Sequence, residues 1–417
     1  MEQTDSAKAV MCESNETTYK VYDQNRLEIQ KFHLCVASLN FQAQLYLLLR
    51  DQKATQFLPL VPLLTSLPTP TTMATNPQMA LDPKYDDYDF PTTAPEVQSG
   101  HPGHLDEVQQ AQVHQLRQLL EKEGFTERLD TLTLLRFLRA RKFNVELAKQ
   151  MFVDSEKWRK EFKTDELVRT FDYKEKPEVF KYYPQYYHKT DKDGRPLYIE
   201  QLGNIDLNAM YKITTAERML SNLVCEYEKL ADPRLPACSR KAGKLLETCC
   251  TVLDLKGVGL MKAPSVYGYL RQASAISQNY YPERLGRLYL INAPWGFSSV
   301  FGVVKGFLDP VTVQKIHVLG SGYQSELLAQ VPKENLPKEF GGTCQCEGGC
   351  MLSDDGPWRD PEWARPAKWE KKDASETDAA SAVPGVPPIK NEPEESKVEP
   401  ASGDLEAGAQ APAPATA

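Results

Sequence analysis

The 417-residue sequence carries none of the short motifs that announce covalent chemistry. It has no GxxxxGK followed by Ser or Thr, no GxSxG and no HExxH, so the common phosphate loop, the nucleophile elbow and the zinc-protease helix are all absent. Gly257-Val258-Gly259 is a weak start to a dinucleotide loop, but Lys262 stands where the third glycine belongs. Gly320-Ser321-Gly322 is weaker still. Histidine is scarce, six in all, and His33, His101, His104 and His114 fall outside the segment that reads as α/β. His188 and His317 could act as bases, yet neither has a declared nucleophile or carboxylate partner in sequence. An enzyme is therefore only a distant alternative.

Long apolar runs are missing too. A bilayer span takes about 20 residues. Leu45 to Leu49 and Phe57 to Leu67 are separated by Arg50, Asp51 and Lys53, and Pro59 and Pro62 break the second. The first residues lack the basic, apolar and cleavage regions of a secretory leader. Positive charge is not in excess. The formal charge is -8, and the segment after Glu370 holds four lysines against nine acids, five of those eight negative charges. That balance predicts no nucleic-acid partner. Nine cysteines form no regular framework. Cys225, Cys249 and Cys250 sit in apolar segments and read as buried reduced thiols, which suits the cytosol. Cys344, Cys346 and Cys350 make a CxCxxxC set beside glycines. That spacing departs from paired CxxC, and no histidine is near in sequence, so it reads as incidental or redox-active thiols rather than a zinc site.

What is present is an alternation of helix and strand signals. Val108, Val113, Leu116, Leu119 and Leu120 form one stripe between Leu105 and Gly124. Asp130-Thr131 caps a second helix to Arg139, and a third runs from Val145 to Phe162. Between them RFLRARKFN concentrates Arg136, Arg139, Arg141 and Lys142, either a solvated basic helix end or a phosphate site. Tyr182 to Tyr187 is an aromatic cluster. Asp191 to Gly194 is a tight turn, and Leu197 to Leu202 reads as the first strand of the next domain. Thr214 or Thr215 starts a helix to Leu230. Leu245 to Leu255 is a strand, Ala263 to Tyr280 a helix, Arg287 to Asn292 and Lys315 to Leu319 strands, and Gln324 to Gln330 a last helix. Strands alternating with helices predict an α/β fold with a mostly parallel sheet.

The segment from Ser277 to Gly320 organises the rest. Between its two strands Phe297, Val300, Phe301, Val304, Phe307 and Leu308 recur at helical spacing with Lys305 the only charge. A helix apolar nearly all round is either a buried core element or a lid over an apolar cavity. Glu283 and Lys315 flank it, as a structural ion pair or as recognition of a polar head.

LLRFLRARKFNVELAK, YYPQYYHKTDKDGRPLYIEQLG, ISQNYYPERLGRLYLINAPWGFS and FLDPVTVQKIHVLG, in this order, resemble the CRAL-TRIO lipid-binding family, and within it the fungal phosphatidylinositol/phosphatidylcholine transfer proteins. The resemblance spans Leu105 to Trp363. It implies an N-terminal helical tripod followed by a CRAL-TRIO α/β domain with a lipid cavity, closed by a gating helix at Phe297 to Leu308. It implies a phosphatidylinositol headgroup site of Arg141, Lys142, Glu283, Thr312 and Lys315, and a phosphatidylcholine site of Tyr187, Tyr198, Tyr227, Cys249, Thr251 and Ser277. Cys249 replaces a family serine, and a thiol is the weaker donor. The domains so expected are a low-order extension and linker at 1–104, the helical domain at 105–172, the lipid-binding domain at 173–355, and a C-terminal extension at 356–417 that is acidic and disordered after about 371. Met73 or Met79 is the candidate native start. The implied function is non-covalent exchange of phosphatidylinositol and phosphatidylcholine, supporting phosphoinositide synthesis and Golgi traffic. A sterol, terpenoid or tocopherol carrier is the alternative. Phospholipid is the only expected ligand, with no cofactor and no metal. The expected partners are membrane lipids and a phosphatidylinositol kinase. The protein is expected to be a cytoplasmic monomer, transiently on Golgi or endosomal membranes.

Overall fold

The computed structural model describes residues 81–258, 263–295, 297, 301–302, 305 and 310–370. Three helices open the fold. Asp106 caps α1 (Glu107–Lys122) with a reciprocal capping box to Gln109, Asp130 caps α2 (Thr131–Ala140), and Asn144 caps α3 (Val145–Phe162). All three pairs of these helices pack together. Their core is Leu116, Leu120, Leu134, Leu135 and Leu138, all fully buried, closed by Phe137 and Phe125 against Phe152 at ring distances of 5.3 and 5.7 Å. Truncating any of these leucines to alanine is a loss of about 2–5 kcal/mol.

The stretch 81–104 departs from the expected low-order linker. The buried Asp86 carboxylate accepts from Thr131 N (2.7 Å) and Thr131 Oγ1 (2.6 Å), while Tyr88 Oη donates to Asp130 (2.7 Å). These bonds satisfy donors at the start of α2 that would otherwise be orphaned, so the segment is part of the helical unit. A short α4 (Thr164–Thr170) follows.

The second unit is a five-stranded sheet in the order β1 (Gln185–Thr190), β2 (Pro196–Gln201), β3 (Cys249–Asp254), β4 (Leu285–Ile291), β5 (Ile316–Val318). β1 and β2 are antiparallel and the remaining pairs parallel. The aromatic cluster thus hides a strand that the sequence pattern missed: Gln185 to Thr190 is buried on both faces at its start, so it shows no alternation. Its turn is built by Asp191, whose Oδ1 accepts from Asp193 N (3.0 Å) and Arg195 N (2.8 Å), with Gly194 at φ +92°. Between the strands run α5 (Ala216–Lys229, capped by Thr215), α6 (Leu235–Ala242) and α7 (Ala263–Tyr280). α6 has two prolines at or near its start and only eight residues, which kept it from view in the sequence. α8 (Gln324–Gln330) and α9 (Cys350–Ser353) complete the order. Leu197, Ile199, Cys250, Val252, Leu288 and Leu290 fill the main core.

Beyond residue 355 the chain docks rather than trails. Trp358 is buried beside Tyr187, Leu230 and Cys238, and Trp369 Nε1 donates to Asp232 O at 3.0 Å. Among the described residues no helix is long and apolar enough to cross a membrane.

Candidate functional site

Strand register assembles one pocket. Tyr187 stands opposite Tyr198 across β1 and β2, and Tyr198 is in register with Thr251 on β3. Side chains alternate along a strand, so Cys249, two residues before Thr251, shares that face. Helix α5 covers it and sends down Leu223 and Tyr227, one helical turn apart. The resulting pocket is lined by Tyr187, Tyr198, Tyr227, Cys249, Thr251 and Arg284, among others. Free volume among these side chains is only about 40 Å³. Ser277 of α7 lies behind Tyr227 and hydrogen-bonds it. Five of the six residues of the expected phosphatidylcholine set therefore line one pocket, and the sixth supports it.

The hydroxyl and thiol groups of this pocket are neutral, and Arg284 and Glu226 bring its charge. Burial pushes the phenols of Tyr187, Tyr198 and Tyr227 above their usual range, and does the same to the Cys249 thiol. The Cys249 thiol lies 3.4 Å from Arg284 O and 3.6 Å from Thr251 Oγ1. Arg284 is the cation of the pocket. Burial and the nearby Arg136 guanidinium lower it to about 9, so it stays charged at neutral pH, and it donates to Glu247 O at 3.1 Å.

Three polar residues here were missed in the sequence. Glu200 is buried and accepts from Tyr198 at 3.2 Å and from Tyr183. Its spacing of two from Tyr198 on a strand was the available signal. Arg284 is the neighbour of Glu283. Glu226 lines the pocket from α5.

Of the expected phosphatidylinositol set, Glu283, Thr312 and Lys315 gather at one rim. Glu247 and Glu283 precede β3 and β4, and Lys315 precedes β5. Because these strands are parallel, the three residues lie at the same end of the sheet. Lys315 N donates to Thr312 O (3.1 Å), and Leu288 N donates to Lys315 O (2.7 Å), which ties the helical turn Pro310–Gln314 to β4. Thr312 is buried and Lys315 half-buried. Glu283 holds φ +61°, a left-handed conformation that costs a non-glycine residue about 1–2 kcal/mol.

Arg136 and Arg139 tie the helical unit to this rim. Arg139 Nη2 lies 3.0 Å from Glu247 and its Nε 3.9 Å from Glu283, and Arg136 is 4.0 Å from Glu247. Arg136 and Arg139 of the basic cluster RFLRARKFN are thus engaged in ion pairs. Arg141 is the C-cap of α2 and donates to Ala140 O at 3.0 Å, and Lys142 is exposed with φ +49°. Of the expected gate, Phe297 is buried and Phe301 packs on the main core, while Val300, Val304, Phe307 and Leu308 lie outside the described residues. His317 is accounted for by Glu326, 2.8 Å from Nδ1, and by a Tyr289 ring stacked at 4.6 Å.

A helical unit leading into a mostly parallel sheet, with a tyrosine-lined pocket on one sheet face and a charged rim at the strand starts, defines a ligand-binding α/β module. Comparison with known proteins makes this specific. Residues 180–342 match the CRAL/TRIO domain and residues 109–154 the CRAL/TRIO N-terminal domain. The Sec14 cytosolic factor of Schizosaccharomyces pombe is 63% identical over 274 residues, 66% of this chain and 96% of that protein. The SEC14 cytosolic factor of Kluyveromyces lactis is 61% identical over 271 residues, 64% of this chain and 90% of that protein. An Arabidopsis thaliana protein, phosphatidylinositol/phosphatidylcholine transfer protein SFH12, is 41% identical over 282 residues, 66% of this chain and 51% of its own. The chain belongs to the CRAL-TRIO family.

Proposed function

We propose that this protein binds phosphatidylinositol and phosphatidylcholine and exchanges them between membranes, in support of phosphoinositide synthesis and Golgi secretory traffic. The observation that carries the reading is the convergence of Tyr187, Tyr198, Tyr227, Cys249 and Thr251 on one pocket beside the charged Arg284. Neutral hydroxyls suit a zwitterionic phosphocholine, whose phosphate takes hydrogen bonds and whose ammonium rests on aromatic faces. The similarity to SFH12, by its name a phosphatidylinositol/phosphatidylcholine transfer protein, supports the lipid pair.

The inositol head is assigned to the rim. Lys315, Thr312 and Glu283 bind it there, with Arg141 and Lys142 reaching from the end of α2. Phosphate pairs with the cations, and inositol hydroxyls donate to Glu283. The reaction is exchange without covalent change. Each acyl methylene shielded from water is worth about 0.8 kcal/mol, so a lipid in the cavity travels without that cost. We assign the gate to the stretch from Phe297 to Leu308 on its apolar sequence. Trp295, two residues before it, is fully exposed, as an aromatic anchor at a membrane surface would be. Membrane contact is transient, and a phosphatidylinositol kinase consumes the presented lipid. The domain bounds we propose are a helical unit beginning near residue 81, a lipid-binding unit from about 173 to 355, and a docked extension to 370.

The test is vesicle-to-vesicle transfer of labelled lipids by the full chain. Transfer of both phospholipids, with Tyr187→Phe plus Tyr227→Phe reducing phosphatidylcholine alone, supports the assignment. Transfer of sterol and of neither phospholipid overturns it.

A further inference from the structure

Outside the lipid pocket, the fold gathers four metal-ligating side chains. His188 on β1 meets Cys344 and Cys346 from the segment after α8 and Cys350 at the start of α9, and their donor atoms all lie within 4.8 Å of one another. His188 Nε2 is 3.3 Å from Cys344 Sγ across 156 residues of sequence, and Cys344 Sγ is 3.8 Å from Cys346 Sγ. From these positions we propose a structural zinc site, His/Cys3, that locks the C-terminal loop to the edge strand of the sheet. The sequence alone pointed away from a metal because no histidine is near the cysteines; strand β1 supplies it.

The spacing matches the ion. With zinc–sulfur bonds of about 2.3 Å and zinc–nitrogen bonds of about 2.0–2.1 Å, a tetrahedron puts two sulfurs about 3.8 Å apart and a sulfur and nitrogen about 3.5 Å apart. The local backbone serves the same end. Gly348 and Gly349 hold φ +73° and +93° and turn the chain back, so that Cys350 Sγ lies 3.6 Å from Cys344 O. Such angles are open to glycine at little cost. His188 is fully buried, with Nδ1 3.3 Å from Ser353 Oγ; the Ser353 hydroxyl already donates to Cys350 O at 3.0 Å, which assigns the proton of this pair to Nδ1. That bond leaves the Nε2 lone pair facing the sulfurs, the outer-shell arrangement by which ligating histidines are oriented. Lys189 Nζ donates to Glu334 O at 3.3 Å and lies 3.6 Å from Asp355, close enough to Cys344 to interact with its charge, so a cation stands beside a centre whose three thiolates and one zinc sum to a single negative charge.

A disulfide explains less. It would use two sulfurs and leave the third thiol and the aimed imidazole without a role. Four protein ligands leave no open position for substrate, so the site is structural, not catalytic. Its consequence runs back to the pocket. His188 follows Tyr187, whose ring lines the lipid site, and Lys189 N donates to Asp355 O at 2.6 Å. The metal would therefore hold both the edge strand and the segment that brings Trp358 against Tyr187.

The test is metal content. The full chain, without a polyhistidine tag, is purified without chelator and measured by inductively coupled plasma mass spectrometry. The expected result is about one zinc per chain, released when a mercurial titrates the thiols and strongly reduced in Cys346→Ser and His188→Ala. Cobalt(II) exchanged into the wild type should give thiolate charge-transfer bands and the absorption of a tetrahedral ion. A wild-type chain free of metal, with a Cys344–Cys346 disulfide in its peptide map or with all three thiols freely reactive, overturns the proposal. So does zinc that persists at full stoichiometry in both variants. The wild-type measurement stands even where a variant fails to fold.

Discussion

Replacing Arg234 by methionine should destabilise the protein far more than a surface ion pair would. Arg234 is 3% exposed, and its Nη2 lies 2.8 Å from Glu226 and 2.9 Å from Asp354. Its guanidinium also stands 4.5 Å over the Tyr187 ring and 5.5 Å over Trp358. Glu226 is buried on α5. Burial alone would raise its carboxyl, but Arg234, Lys176 and Lys229 outweigh that and hold it at about 2. Methionine fills the volume and removes the charge. Glu226 then keeps only Lys229 at 3.7 Å and Lys176 at 4.0 Å, both better solvated. Orphaning one partner of a buried pair costs about 3–5 kcal/mol, and the two remaining lysines place this case near the lower end. The lost cation–π contacts add about 1 kcal/mol. Urea unfolding at neutral pH should therefore show a loss of about 4 kcal/mol at unchanged slope. Adding Glu226→Gln should restore a large part of it. The pH sign follows from the depressed carboxyl. Stability from this pair is complete above the ordinary carboxylate value of 4.5 and fades as pH falls toward about 2. The double variant should lose that acid sensitivity. A single variant costing under about 1 kcal/mol, the range of exposed pairs, would refute the reasoning, as would a double variant no more stable than the single.

Three further outcomes are expected. Lys315→Ala and Glu283→Lys should weaken phosphatidylinositol binding about tenfold or more, about 1.4 kcal/mol, while phosphatidylcholine loading measured on the same samples stays unchanged; equal loss of both lipids contradicts separate head sites. Cys249→Ser, which puts a hydroxyl beside Thr251, should raise phosphatidylcholine retention by about 0.5–1.5 kcal/mol, and a fall in competition binding contradicts the thiol's role in the pocket. Gly203→Ala should cost at least about 1–3 kcal/mol in thermal or urea unfolding, because the new Cβ would overlap the Lys256 carbonyl oxygen, backbone that cannot swing aside.

Much of the fold was legible because its signals are local. Asp130 and Thr215 cap where capping chemistry predicts, and Val145–Phe162, Ala263–Tyr280 and Gln324–Gln330 carry the bounds expected from the sequence. Strand β1 was not legible, since both its faces are covered and its tyrosines read as a cluster. Nor was the packing of residues 81–104, whose Pro, Thr and Asp composition looks like a linker until Asp86 is seen closing the start of α2. In the site, Tyr187, Tyr198 and Tyr227 could be singled out from sequence and line one pocket, whereas the ion pairing of Arg136 and Arg139 required three-dimensional neighbours. The same holds for His188 and the three cysteines. A contact spanning 156 residues leaves no spacing to read.

The most direct measurement is the lipid that travels with the protein. The full chain, expressed in a eukaryotic host, is analysed by native mass spectrometry and its extract by lipid mass spectrometry. Phosphatidylinositol and phosphatidylcholine together near one molecule per chain is the predicted result. A sterol or terpenoid in their place would keep the fold and contradict the head-group assignment, and a chain carrying no lipid, and taking up neither phospholipid from vesicles, would contradict the exchange itself.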